Sequence, residues 1–117
     1  TIEDYMEMIE KKTSALFKLS CGGGSYLAGE HFKDAKHIGN EIGLTYQIRD
    51  DILDIFGDQS KFGKEIGKDI KERKGGNIVL LLAAKEDKNI LNIFKNKKIE
   101  LDDRKIAYQA AEKVKGI

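Results

Sequence analysis

From Ala35 to Gly57, apolar residues recur at helical spacing without a break. Ile38, Ile42, Thr45, Ile48, Ile52, Ile55 and Phe56 predict one long helix with a continuous buried stripe. The 117-residue chain contains no proline, so the usual helix breaker is absent and glycine has to supply the punctuation. Gly57 followed by Asp58 reads as the stop of the long helix. The same periodicity at Tyr5, Met8, Ile9, Leu16 and Leu19 predicts a first helix from Ile2 to about Cys21. Gly22, Gly23 and Gly24 then either loosen the chain or allow very close helix packing. A short helical stretch through Tyr26, Leu27 and Phe32 is expected next. Residues 59–76 turn to Lys and Gly, a basic loop with room for a short helical turn. Asn77 is placed to cap a buried helix from Ile78 to about Lys85. Two amphipathic pieces, Ile90 to Phe94 and Asp103 to Val114, complete the chain. With no β alternation, internal repeat or low-complexity linker, the fold class is all-α.

Length allows one domain at most. A hydrophobic content of 40% with 35% charged residues fits a soluble chain of amphipathic elements rather than a disordered one. Lys and Arg number 21 against 20 Asp and Glu, and no aromatic pattern interleaves the basic residues, so nucleic acid is not an expected partner. Cys21 is alone, cannot form an internal disulfide, and reads as a small buried hydrophobe. Ile78 to Ala84 is strongly apolar but far too short to span a bilayer. No signal-peptide pattern opens the sequence, so the cytoplasm is the default location.

Residues 47–58 read QIRDDILDIFGD. On a helix, Gln47, Asp50, Asp51, Asp54 and Asp58 fall within an arc of roughly 100°. Acids crowded on one face repel one another, and late in a helix they also oppose the macrodipole. The chemistry that rewards such a face is a divalent cation held by oxygen ligands. Mg²⁺ fits best, because it takes one or two carboxylates and fills the rest of its shell with water and substrate phosphate. No His or Cys cluster points to zinc, and the EF-hand spacing is missing. The plain alternative is a solvated acidic face.

Basic residues lie in two other segments. Lys12 sits on the stripe of the first helix, three residues after Ile9 and four before Leu16. It is either snorkelling to the surface or aimed into a polar cavity that the hydroxyl of Thr13 shares. In FGKEIGKDIKERKGG, residues 62–76, Lys64 and Lys74 flank a glycine-containing turn suited to phosphate, although the Walker A pattern is not matched. Solvated surface is the ordinary reading of such a loop. His31 and His37 read as surface residues.

The order and spacing of these pieces resemble the trans-isoprenyl diphosphate synthase, or polyprenyl synthetase, family. The resemblance rests on Lys12 and Thr13 in EKKTSALF, on Gln47 and DDILD in YQIRDDILDIFGD, on Gly63, Lys64, Asp69 and Lys74 in the basic segment, and on the apolar run NIVLLLAA. It covers residues 1 to about 95. A lone DDxxD is weak, but QxxDDxxDxxxD followed by GKxxGxD is specific. The resemblance implies that residues 1–117 are a single helical segment, the carboxy-terminal part of an isoprenoid synthase helical bundle around a deep cavity. It implies Mg²⁺ ions between two aspartate-rich motifs and the diphosphate of an allylic substrate. By it, Asp50 is a metal ligand, and Asp51 and Asp54 are ligands or water-mediated neighbours. Lys12 and Lys64 contact the allylic diphosphate, Lys74 adds charge at the mouth, Gln47 and Thr13 line the cavity near the forming carbocation, and Asp69 orients its basic neighbours. Isopentenyl diphosphate is the second substrate, and a homodimer is the implied assembly.

The family's first aspartate-rich motif is not in these residues, and the family's Thr after the loop lysine is replaced by Gly75-Gly76-Asn77. The chain therefore reads as a piece of a longer enzyme, inactive by itself. Two other readings remain: a class I terpene cyclase, which shares fold and metal logic, and a non-catalytic partner subunit of an active synthase.

Overall fold

The computed structural model describes residues 1–63, 68 and 76–95. Every element among them is helical. The chain packs as two compact units, Thr1–Arg49 and Asp50–Ile117.

The first unit begins with helix throughout Ile2–Leu27, although not one kind of helix. Ile2–Ile9 form α1, opened by Thr1, whose Oγ1 accepts a hydrogen bond from the Asp4 N–H at 3.1 Å. Glu10–Ser14 wind as a π-helical turn, and Ala15–Leu27 form α2. A π turn bonds residue i to i+5, so it holds one residue more than an α turn. That extra residue rotates the face that follows by about 100°. Of the expected stripe, Tyr5 and Ile9 are buried and Met8 is exposed, and beyond Ile9 it fails: Leu16 and Leu19 are 67% and 70% exposed. Ser14 and Gly22 are buried in their place, with Phe17 and Cys21 half-buried. The rotation is the physical reason. It also carries Lys12 off the stripe to an exposed position.

Gly22, Gly23 and Gly24 do not break the chain; they lie inside α2. The helix ends instead in a Schellman turn, in which the Glu30 N–H reaches Ser25 O at 2.9 Å and the Gly29 N–H reaches Tyr26 O at 3.1 Å. Gly29 has φ +75°, a conformation that costs other residues about 1–2 kcal/mol. Tyr26 and Leu27 thus finish α2 and Phe32 starts α3, with no separate short helix between them. α3 spans Phe32–Phe56.

Within the first unit α2 and α3 run antiparallel at close quarters, and glycine makes this possible. A Cβ on Gly39 would stand 2.5 Å from Phe17 O, and one on Gly43 would stand 2.6 Å from Ser14 Cα. Gly22 packs in the same way against Phe32 and Lys36, and the rings of Phe17 and Tyr46 lie 5.8 Å apart in a tilted pair. The buried side of α3 here is therefore glycine, not isoleucine. Ile38, 57% exposed, and Ile42 each precede one of these glycines by one residue, which turns them about 100° away from the contact. Cys21 is half-buried beside Gly39; His31 and His37 are exposed as expected.

In the second unit the last turns of α3 bury Asp51 and Ile55, while Ile52 and Phe56, one residue further round, are exposed. The continuous stripe is thus corrected at both ends. α3 stops at Gly57 as expected, its N–H bonded to Leu53 O at 2.8 Å. Asp58 lies beyond the helix, where its Oδ1 accepts from Ser60 N at 3.0 Å and Ser60 Oγ at 2.7 Å, opening the short helix α4, Gln59–Phe62. Ile78–Glu86 form α5 and Lys88–Lys95 form α6, which pack on each other. Val79, Leu80, Ala83 and Ile90 supply buried apolar surface; full burial of a side chain such as Ile90 is worth roughly 1.5–3 kcal/mol. The expected piece from Asp103 to Val114 lies outside the described residues. No helix among the described residues is long and apolar enough to cross a membrane.

Candidate functional site

Two polar contacts tie the π turn to α3. The Thr13 hydroxyl donates to Gln47 Oε1 at 2.8 Å. One residue on, the buried Ser14 hydroxyl lies 2.7 Å from Asn40 Oδ1 and 3.0 Å from Asn40 O. Of the two contacts, the one made by Ser14 depends on the glycine beneath it, since Gly43 lets Ser14 approach the α3 backbone. Both depend on the π turn, which brings adjacent residues of the first arm of the helical hairpin to bear on α3. π turns recur at functional sites because the extra residue re-aims side chains that an α-helix would point elsewhere.

The charges around the turn are arranged to hold it. Lys18 Nζ lies 2.8 Å from Glu10 Oε1, bridging from α2 back across the π turn. This bond and the charge of Lys18 hold the Glu10 carboxyl below its ordinary pKa. Glu7 accepts from Lys11 and raises the lysine's pKa in the same way. Lys12, between these pairs, is exposed.

α3 carries the three acids. Asp50 and Asp54 are half-buried, and at i,i+4 they share a face of the helix. Asp51 differs: it is 2% exposed. Its Oδ2 accepts from the Ile78 N–H at 2.9 Å, and its main-chain oxygen accepts from Asn77 Nδ2 at 3.1 Å. Asn77, fully buried, caps α5 as the sequence predicts, its Oδ1 accepting from Val79 N at 2.9 Å and Leu80 N at 3.4 Å. The pKa of Asp58 is lowered by its two bonds from Ser60, the hydroxyl contributing most.

Among the described residues, no three His, Cys, Asp or Glu side chains form a ready-made metal cage. Two half-buried carboxylates on one helix face, with only oxygen donors, nevertheless match what Mg²⁺ asks of a protein: one or two carboxylates, the remaining positions going to water and phosphate. Lys64, Asp69 and Lys74 lie outside the described residues.

Of the residues singled out by sequence, Thr13 and Gln47 are brought into contact. Sequence reasoning missed Ser14, Asn40 and the bonding role of Asn77 toward Asp51. Asn77 carried a signal, its capping position, whereas nothing in the sequence reveals that a buried serine opposes Asn40.

The polyprenyl synthetase family profile matches residues 1–111, further than the motifs alone suggest. The chain is 43% identical over 116 residues to the short chain isoprenyl diphosphate synthase of Methanocaldococcus jannaschii, covering 93% of this chain and 36% of that protein. It is 36% identical over 102 residues to the geranylgeranyl diphosphate synthase of Sulfolobus acidocaldarius, covering 81% of this chain and 31% of that protein. The protein of the same name from Saccharolobus solfataricus is 34% identical over 120 residues, covering 97% of this chain and 36% of its own length. The chain thus spans about a third of the length of these curated relatives. No solved structure gives a significant match. A family match over nearly the whole chain, joined to the motif order from Lys12 to Asn77, establishes that this chain belongs to the polyprenyl synthetase family.

Proposed function

We propose that the protein carrying this chain is a trans-prenyltransferase that condenses isopentenyl diphosphate with an allylic diphosphate, and that this chain supplies half of its metal-diphosphate site. The observation that carries the reading is the bond between Thr13 and Gln47. The family motifs assign these two residues to one cavity wall although they stand 34 positions apart, and they touch.

In this reading Asp50 and Asp54 hold Mg²⁺, which supplies positive charge to the departing diphosphate oxygens when bound. Lys12 and Lys64 bind the allylic diphosphate, and Lys74 adds charge at the cavity mouth. Lys12 suits the task by standing exposed on the π turn beside Thr13. The Thr13 hydroxyl fixes the Gln47 amide by donating to its oxygen, so both residues turn oxygen lone pairs toward positive charge as it develops on the allyl group. A dipole held in place by a neighbour need not reorganise during reaction, which is where its catalytic value lies. The allylic carbon–oxygen bond breaks, isopentenyl diphosphate attacks the cation, and loss of a proton to the departed diphosphate gives a product five carbons longer. Assembly as a homodimer and a cytoplasmic location belong to the same proposal, as does inactivity of these residues as a free piece.

Incubation of the whole protein with labelled isopentenyl diphosphate, several allylic primers and Mg²⁺, followed by product sizing, tests it. Elongated prenyl diphosphates are expected, and Asp50→Ala should lower turnover by orders of magnitude without loss of fold. Near parental turnover in Asp50→Ala would defeat the assignment. A protein that makes no product alone but alters the product length of an added synthase is the partner subunit instead.

A further inference from the structure

The three acids of DDILD differ in their surroundings, and the difference divides their work. Asp50 and Asp54 retain exposure on one face of α3, whereas Asp51 is sealed against the start of α5. The first N–H groups of a helix have no partner within it and carry partial positive charge. At α5 they are met from two sources. Asn77 Oδ1 takes Val79 N and Leu80 N, and Asp51 Oδ2 takes Ile78 N. Asn77 then closes the loop by donating Nδ2 to the main-chain oxygen of Asp51. Each residue bonds the other's segment, and both are buried. A carboxylate so placed gives one of its oxygens to a helix end.

We propose that Asp51 is a positioning residue and not a metal ligand: with Asn77 it clasps the start of α5 to the turn of α3 that carries Asp50 and Asp54. The chain leaves α3 at Gly57 and is fastened to the same helix again at Asn77. The clasp therefore fixes the start of α5 against the acid-bearing turn. The inference rests on the proposed metal-dependent activity for its functional half, and on hydrogen bonds alone for its structural half.

Five variants of the whole protein test it, each read as a metal-free thermal midpoint and as the Mg²⁺ concentration giving half-maximal rate. Asn77→Ala and Asp51→Ala should each lower the metal-free midpoint by several degrees, and the double variant should fall little below the worse single, because both remove one clasp. Asp51→Asn keeps an oxygen to accept from Ile78, so it should recover most of the midpoint and leave the Mg²⁺ requirement where it was. Asp50→Asn should show the reverse pattern, an unharmed midpoint and lost Mg²⁺-dependent turnover. The proposal is overturned if Asp51→Asn raises the Mg²⁺ requirement by roughly tenfold or more, the loss expected when a metal site is disturbed. Fully additive midpoint losses in the double variant overturn it as well. Retention of turnover in Asp50→Asn would instead strike at the proposed function, while the midpoints would still decide the clasp.

Discussion

Gly43→Ala and Gly24→Ala make the same chemical change in helix interiors and should move stability in opposite directions. Alanine is favoured over glycine in a helix by about 0.8–1.0 kcal/mol. At Gly24 nothing stands within 4 Å of the new methyl group, so this gain should appear undiminished. At Gly43 the methyl group would lie 2.6 Å from Ser14 Cα, 2.9 Å from Ser14 Cβ and 3.0 Å from Ser14 Oγ. Comfortable carbon contacts lie near 3.5–4.0 Å, so the helices must part by about 1 Å. Overpacking of this kind costs about 1–3 kcal/mol. Straining the Ser14–Asn40 bond adds about 1 kcal/mol. After the propensity gain is subtracted, Gly43→Ala should be destabilised by roughly 1–3 kcal/mol. At about 2–4 °C per kcal/mol for a domain of 150–250 residues, the two variants should separate by several degrees in a thermal scan. Turnover should fall in Gly43→Ala as well, because Thr13 sits on the same turn. An equal rise in midpoint for both variants would show that α2 and α3 do not meet through backbone at Ser14.

Other outcomes follow from the same contacts. Ser14→Ala should lower the denaturant midpoint by an amount equivalent to about 1 kcal/mol, because it removes the donor to the half-buried Asn40; no change would mean that the bond is not formed. Thr13→Val removes the donor to Gln47 at constant shape and should lower kcat by roughly tenfold, the rate equivalent of about 1.4 kcal/mol, whereas Thr13→Ser should retain most of the rate in a steady-state assay. Glu10 has its pKa lowered below the ordinary 4.5 by Lys18, so its contribution is present above that value and disappears as pH falls through the depressed one. The midpoint advantage of the parent over Glu10→Gln should therefore be constant near neutrality and vanish in acid, measured by thermal scans across pH. A difference that grows on acidification would reverse the sign of the linkage.

What the sequence disclosed depended on whether a signal was local. The Asn77 cap, the stop at Gly57 and α6 were legible because each rests on a few adjacent residues. The stripe on α3 misled because hydropathy gives glycine no weight, yet Gly39 and Gly43 form the contact and Ile38 and Ile42 do not. Past Ile9 the first helix misled for another reason: a single inserted residue is invisible to a fixed angular period. Within the candidate site, motif order singled out Thr13 and Gln47, and the fold brings them into contact. Asp51 could not be told from its neighbours, since three acids in one motif look alike until the N–H of Ile78 approaches one of them.

The widened turn at Glu10–Ser14 also separates two demands on chain length. Deleting one residue there would restore an ordinary helical winding and keep Tyr5 and Ile9 in phase with Phe17 and Cys21, so the hairpin would still assemble. Yet the shortened variant would no longer present both a lysine and a threonine from the bulge. On the proposed function, a variant that has shed the extra residue should fold well and lose turnover.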